Sequence, residues 1–153
     1  APGPTALGPL LGAPFGLTEA AELAALIERS GTAAIRLTPW RLFLLEGGAA
    51  VPAPDFITAP NDPLLSVDAC VGAPRCAAAS VETQSLARAL AGRAGGALHV
   101  AGCAKGCARP GPAAMALVGR EGRFDLVTNG RAWDAPVLRG LTREEAAALA
   151  KED

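Results

Sequence analysis

All four cysteines of this 153-residue chain lie in two short pairs that are flanked by glycine. Five residues separate Cys70 from Cys76 in "VDACVGAPRCAAAS", and three separate Cys103 from Cys107 in "HVAGCAKGCARPGP". Such pairs leave four interpretations open: disulfides, a structural zinc site, an iron–sulfur cluster, or unreactive thiols buried in a core. Disulfides need an oxidising compartment, and nothing in the sequence indicates secretion.

The residues around the cysteines favour a [4Fe–4S] cluster. The C-x5-C spacing is loose for zinc, whose ligand pairs usually enclose two to four residues, whereas a cluster on two loops tolerates it. Gly72, Gly102 and Gly106 allow the backbone to approach a bulky inorganic group. Three cations, Arg75, Lys105 and Arg109, would offset its negative charge. Zinc and unreactive thiols remain the alternatives.

A helix is expected to begin at Cys76, because the run "AAASVETQSLARALAGRAGG" that follows it has helical composition and ends at glycines. The positive end of the helix dipole would then favour a thiolate at Cys76.

Composition restricts the class of protein. Half of the residues are apolar, and 14 lysines and arginines are interspersed with 15 acidic residues, which argues against a nucleic-acid partner. No apolar run is long enough to span a membrane, and the start has no basic signal-peptide segment, so we expect a soluble cytoplasmic protein. The opening "APGPTALGP" has the composition of a linker and indicates a fragment of a longer chain.

The coarse pattern is that of an α+β fold. A helix capped by Thr18 and ended by Gly31 precedes two extended segments, "AAIRLT" and "RLFLL", and a proline-rich irregular stretch, residues 50–66. "ALHVAG" is a short strand, and "AMALVGREGRFDLVTNG" predicts a hairpin that turns at Glu121-Gly122. A capping box, Thr142 with Glu145, begins a terminal helix.

The cysteine pattern, C-x5-C and C-x3-C with residues 77–102 between them, resembles the cluster motif of the nitrite and sulfite reductase superfamily. The flanks "IRLTPWRLFLL", "NDPLLSVDACVGAPRCAAAS" and "LHVAGCAKGCARPGPAAMALVGREGRFDLVTNGRA" resemble, within it, the C-terminal half of the precorrin-3B synthase family. The segments "GCAKGC" and "LTPWR" depart from the reductase pattern, which puts sulfite or nitrite reduction in doubt.

The resemblance implies both a fold and a ligand set. The fold would be a nitrite/sulfite reductase-like half, with a ferredoxin-like piece and N-terminal linker in residues 1–50 and a cluster- and tetrapyrrole-binding α+β domain in residues 51–153. It also implies that four thiolates hold a [4Fe–4S] cluster, with the last of them in the position that bridges to haem iron in the reductases: Cys70, Cys76, Cys103 and Cys107.

The implied activity is oxygen-dependent hydroxylation of precorrin-3A, with closure of a lactone, in aerobic cobalamin biosynthesis. Its partners would be O2, an electron donor and the missing N-terminal half, and a mononuclear iron would activate oxygen at ligands that the sequence does not identify. We expect the fragment alone to be inactive. The alternatives are half of a sirohaem-dependent sulfite or nitrite reductase and a non-catalytic metal-binding assembly module.

Candidate substrate ligands are cationic, because a tetrapyrrole carries acetate and propionate groups. They are Arg36, Arg41, Lys105 and Arg109, and Thr38 offers a hydroxyl beside the two arginines of "IRLTPWR". Each also has a simpler interpretation, as a solvated cation or an ordinary strand residue. The single histidine, His99, is expected to be a structural residue of a strand, with an iron ligand as the alternative.

Overall fold

The computed structural model describes residues 1–149, which divide into two compact units after Leu65. Each unit has its own sheet, of four strands in the first and five in the second, and helices accompany both sheets. The α+β class expected from the sequence is therefore confirmed. The division lies fifteen residues beyond the boundary expected between residues 50 and 51.

The first unit contains an antiparallel sheet in the order β1-β2-β4-β3. Its strands are β1 (Gly3–Thr5), β2 (Gly8–Gly12), β3 (Ala34–Leu37) and β4 (Leu42–Glu46). Both extended segments expected around Pro39 are thus strands of one hairpin. The opening residues, by contrast, are not a linker, because β1 and β2 pair with each other and β2 continues the sheet beside β4.

The helix of this unit, α1 (Ala20–Ser30), begins one residue later than expected. Thr18 was predicted to be its N-cap, but that position belongs to Glu19, and the Thr18 hydroxyl lies 3.4 Å from the Glu19 carbonyl oxygen instead. The predicted end is confirmed, since Gly31 adopts a left-handed φ of 61° and its N–H bonds the Ile27 carbonyl at 3.1 Å.

Apolar side chains from the sheet, the helix and the following segment form the core of the first unit. Phe43 and Phe56 meet edge to face with ring centres 5.4 Å apart, a favourable aromatic arrangement. The buried members are Leu11, Leu26, Phe43, Leu45, Ala53 and Phe56. Of the stretch expected to be irregular, residues 50–62 have no helix or extended strand, as the prolines predicted, but Pro63–Ser66 form a short 3-10 helix.

The second unit contains a mixed sheet whose spatial order is β5-β6-β7-β8-β9. Its strands are β5 (Val67–Ala69), β6 (Leu98–Ala101), β7 (Ala113–Arg120), β8 (Arg123–Gly130) and β9 (Leu138–Leu141). The first three strands run parallel to one another, and the last two pairings are antiparallel. The predicted hairpin turn is confirmed: Glu121 and Gly122 have φ of 51° and 76°, as a tight two-residue turn requires.

Two helices accompany this sheet, and both were predicted. The helix expected in the run after Cys76 is α2 (Gln84–Leu90), which ends just before Gly92 as expected, but its predicted start at Cys76 was wrong. The intervening backbone forms turns, with the Ser80 N–H bonding the Gly102 carbonyl at 3.0 Å, so no helix dipole acts on Cys76. The second helix, α3 (Arg143–Ala148), carries the predicted capping box.

Within residues 1–149, no helix combines the length and the apolar character that crossing a membrane requires.

Candidate metal centre

Both cysteine pairs begin at the carboxyl ends of neighbouring parallel strands. Cys70 directly follows β5, and Cys103 follows β6 after one glycine. Since β5 and β6 run in the same direction, their carboxyl ends lie at the same edge of the sheet. The first cysteine loop (residues 70–83) and the second cysteine loop (residues 102–112) therefore begin side by side.

Gly102 is the point of contact between the two loops. Its N–H lies 3.2 Å from the Cys70 sulfur, and its carbonyl accepts the Ser80 N–H at 3.0 Å. A Cβ added at Gly102 would lie 2.5 Å from the Ala79 Cβ, so only glycine fits there. N–H groups directed at sulfur are a common feature of thiolate-held clusters.

The first cysteine loop is shaped by hydrogen bonds within its own backbone and by one buried hydroxyl. Gly72 has a left-handed φ of 64°, and its carbonyl accepts the Cys76 N–H at 2.9 Å. The fully buried Thr83 donates its hydroxyl to the Cys70 carbonyl at 2.6 Å. These bonds fix the path of the chain between Cys70 and Cys76.

The second cysteine loop packs against the segment between β8 and β9. Gly106 has a left-handed φ of 63°, and a Cβ there would lie 3.0 Å from the Trp133 ring. The guanidinium of Arg131 lies over the same ring, 5.9 Å from its centre. The glycine thus lets the loop lie close to a half-exposed indole.

An ion pair joins the flanks of the two cysteine pairs. Arg109, two residues after Cys107, donates from Nη1 to the Asp68 carboxylate at 2.8 Å, and Asp68 lies two residues before Cys70. The Nε of Arg109 also donates to the Pro112 carbonyl at 2.8 Å. The Nη1 and Nε of Arg109 therefore both have partners within the protein.

His99 lies on β6 directly opposite Asp68 of β5 and is fully buried. Neither of its ring nitrogens finds a hydrogen-bond partner among residues 1–149. Burial lowers the pKa of His99 below its ordinary value of 6.5; the Asp68 charge opposes this change and the Arg109 charge adds to it. His99 is therefore neutral at pH 7.

The four cysteines fit a thiolate-bound group in donor type and in placement, but they do not form a finished site. All are free of disulfides; Cys107 is exposed and the other three are half-buried. Among residues 1–149, no group of three or more His, Cys, Asp or Glu side chains is arranged to hold a metal ion. What the fold supplies is the common sheet edge and an N–H directed at one sulfur.

Three of the candidate substrate ligands lie on the β3–β4 hairpin of the first unit. The exposed Arg36 forms an ion pair with Glu46. Thr38 donates its hydroxyl to the Leu42 carbonyl at 2.8 Å, an ordinary turn contact. Arg41 occupies the turn itself, with φ of 59°.

The other two candidates, Lys105 and Arg109, lie in the second cysteine loop of the second unit. Lys105 is exposed between Cys103 and Cys107, beside the thiols. The fold thus brings these two cations to the cysteines within one unit.

Sequence reasoning missed Asp68, Thr83 and Trp133. Asp68 contacts the second cysteine loop from β5, and Trp133 contacts it from the segment after β8. Thr83 bonds back to Cys70 from the last position of the first loop. Only the parallel pairing of β5 with β6 would have indicated Asp68, since it places this carboxylate beside the second loop.

Comparison with known proteins gives one informative match. No family model matches the chain. A curated precorrin-3B synthase from Sinorhizobium sp. is 39% identical over 150 aligned residues, which cover 86% of this chain and 32% of the relative. The chain therefore spans about a third of the length of the curated relative that it matches. This identity confirms the family that the cysteine pattern and its flanks predicted: the chain belongs to the precorrin-3B synthase family.

Proposed function

We propose that this chain is the part of a precorrin-3B synthase that holds a [4Fe–4S] cluster, and that the whole enzyme hydroxylates precorrin-3A in cobalamin biosynthesis. The observation that carries the proposal is the parallel pairing of β5 with β6, which brings both cysteine pairs to one sheet edge. The relative's name supports the substrate class, a tetrapyrrole. The parent fold would be a nitrite/sulfite reductase-like half.

In this proposal Cys70, Cys76, Cys103 and Cys107 are the cluster ligands. When bound, the cluster supplies one-electron transfer, which no ordinary side chain provides. The Gly102 N–H already faces the Cys70 sulfur at 3.2 Å, as N–H groups commonly face the sulfurs of such clusters. Both loops carry their thiols at the same edge of the sheet, where the cluster would be held.

Cationic side chains would bind the carboxylates of the substrate. Lys105 is exposed between two of the thiols, so a carboxylate near the cluster could reach it. Arg36, Thr38 and Arg41 form a second group, on one hairpin. A substrate carboxylate at Arg36 would replace Glu46, its present partner.

The remaining requirements of the reaction belong to the whole enzyme. They are O2, an electron donor, an oxygen-activating iron and the rest of the protein, and the proposed location is the cytoplasm, where thiols stay reduced. Since the chain spans about a third of its relative, we expect no turnover of precorrin-3A by these residues alone. Turnover by the isolated chain would contradict this part of the proposal.

Iron and acid-labile sulfide analysis of anaerobically reconstituted protein tests the cluster. We expect about four irons and four sulfides per chain, with a broad absorbance at about 400 nm. Replacing Cys70 or Cys107 by serine should reduce both contents several-fold, whereas Ser80→Ala, in the same loop but not a thiol, should keep them. A colourless protein that binds one zinc would contradict the proposal, and so would full cobalamin production by the serine variants of the whole enzyme in a complementation assay.

A further inference from the structure

We infer that Arg109 is a positioning residue, which with Asp68 holds the second cysteine loop against β5, the strand from which Cys70 emerges. The inference rests on the proposed function only in its consequence, namely that the cluster is retained. Arg109 would act through the loop and its thiols and would not contact the cluster.

The contacts of Arg109 suit this role better than that of a substrate ligand. Its Nη1 is 2.8 Å from the Asp68 carboxylate, and its Nε is 2.8 Å from the Pro112 carbonyl. One rigid guanidinium thus bridges β5 and the end of the loop. A substrate carboxylate would meet a guanidinium whose Nη1 and Nε already have partners within the protein.

Burial makes this pair a firmer link than an exposed one. The Asp68 side chain is 16% exposed and the Arg109 side chain is 31% exposed. In the Arg36–Glu46 pair of the first unit, the Arg36 side chain is 66% exposed and the Glu46 side chain is 30% exposed. Charge-assisted hydrogen bonds gain strength when solvent is excluded, while fully exposed pairs contribute little.

The position of the pair along the chain explains why the loop needs it. Backbone hydrogen bonds of Gly102 tie the start of the second cysteine loop to the first. Cys103 and Cys107 come next, and the Arg109–Asp68 pair then ties the end of the loop to β5. The two thiols therefore lie in a segment anchored at both ends, which limits how far Cys107 can move from Cys70.

The fluorescence of Trp133 measures whether the second cysteine loop stays in place. The sequence contains two tryptophans, so Trp40→Phe leaves Trp133, which packs against Gly106, as the single emitter. Acrylamide quenching of Trp133 in the metal-free chain then reports whether the loop stays in place. The rate of iron loss to a chelator from the reconstituted chain reports retention of the cluster.

Arg109→Met and Asp68→Asn are the test variants, and Arg109→Lys is the conservative one. The matched control is Arg139→Met. It removes a cation on β9, at the opposite edge of the same sheet, that lies 3.5 Å from Asp125 of β8. We expect both test variants to increase quenching of Trp133 and to speed iron loss by about 10- to 100-fold, the usual effect of losing a residue that orients a metal ligand. Arg109→Lys should lie between them and the parent, and Arg139→Met should match the parent.

Unchanged quenching and unchanged iron loss in both test variants would overturn the inference. If the parent binds no iron, the proposed function fails, and quenching alone then decides whether the pair holds the loop. If circular dichroism shows that the single variants do not fold, the double variant Asp68→Asn/Arg109→Gln, which keeps a neutral hydrogen-bonding pair, decides the matter. Iron loss about tenfold faster in the double variant supports the inference, and loss at the parent rate overturns it.

Discussion

The two cysteine loops leave the same edge of one sheet but are held by different means. Backbone bonds hold the first loop, most of them within residues 70–83 and one to Gly102, together with the buried Thr83 hydroxyl. Side chains from elsewhere hold the second loop, chiefly Asp68 on β5 and Trp133 after β8. The first loop therefore has a largely local structure, while the second takes its position from the rest of the unit.

Because of this difference, the two cysteine pairs should respond to different substitutions. The arrangement of Cys70 and Cys76 depends chiefly on backbone bonds, whereas that of Cys103 and Cys107 depends on side-chain anchors that single substitutions remove. Cys107, the exposed thiol, belongs to the second loop. Substitutions at the junction should affect both loops, and substitutions elsewhere should affect one.

Gly102→Ala should have the largest effect, because it acts at the junction. The new Cβ would lie 2.5 Å from the Ala79 Cβ, so the loops must separate, and we expect the free energy of unfolding to fall by about 3 kcal/mol. Urea unfolding measures it. Gly111→Ala is the control, since a Cβ there has no atom within 4 Å among the described residues. Adding Ala79→Gly should restore much of the loss; equal stability of the two alanine variants would contradict the contact.

Thr83→Val should weaken the first loop specifically. Valine keeps the shape of the side chain but removes the hydroxyl that bonds the Cys70 carbonyl, which leaves a carbonyl without its 2.6 Å donor. We expect a loss of about 2 kcal/mol by thermal or urea unfolding. Thr128→Val, at an exposed site on β8, should change stability by less than about 0.5 kcal/mol. An equally small effect at Thr83 would show that the hydroxyl does not fix the loop.

Gly106→Ala and Gly95→Ala together test how closely the second loop packs on the segment after β8. The two glycines have nearly equal φ, 63° and 64°, so both alanine variants carry the same backbone strain. A Cβ at Gly106 meets the indole of Trp133 and the Cβ of Ala132, each at 3.0 Å, while one at Gly95 meets no described atom within 4 Å. We expect Gly106→Ala to cost about 1 kcal/mol more than Gly95→Ala in urea unfolding. Trp133→Ala should reduce that excess, and an unchanged excess would assign the cost to Ala132.

His99 should give the smallest effect, visible as a pH dependence of stability. Burial lowers its pKa in the folded protein below the ordinary 6.5, so the unfolded chain binds the proton more readily. Stability is therefore expected to decline as the pH falls below about 6.5, and to be unaffected by this group above it. His99→Leu should remove that part of the decline, measured as the difference between the two proteins' unfolding free energies from pH 7 to about pH 5.5. If the unfolding free energies of the two proteins changed in parallel with pH, the lowered pKa of His99 would be contradicted.

Local signals in the sequence predicted most elements correctly. The Glu121-Gly122 turn, the Gly31 helix end and the Thr142–Glu145 capping box each depend on a few adjacent residues, and all three are confirmed. The predicted helix start at Cys76 was wrong, because composition cannot show that the Ser80 N–H bonds the Gly102 carbonyl at the end of a distant strand. The prediction of a linker at the start of the chain was wrong for a similar reason. Proline and glycine are typical of linkers, and the sequence does not show that β1 and β2 pair with each other.

The sequence by itself determined the α+β class, the relationship to precorrin-3B synthase and the presence of two glycine-flanked thiol pairs, because each depends on residue identity and short-range order. Only the tertiary structure decided that the pairs share one sheet edge and that Arg109 joins their flanks through Asp68. The physical reason is that both features depend on the direction in which β5 and β6 pair. Strand direction is set by packing of the whole unit, and the residues beside the cysteines do not encode it.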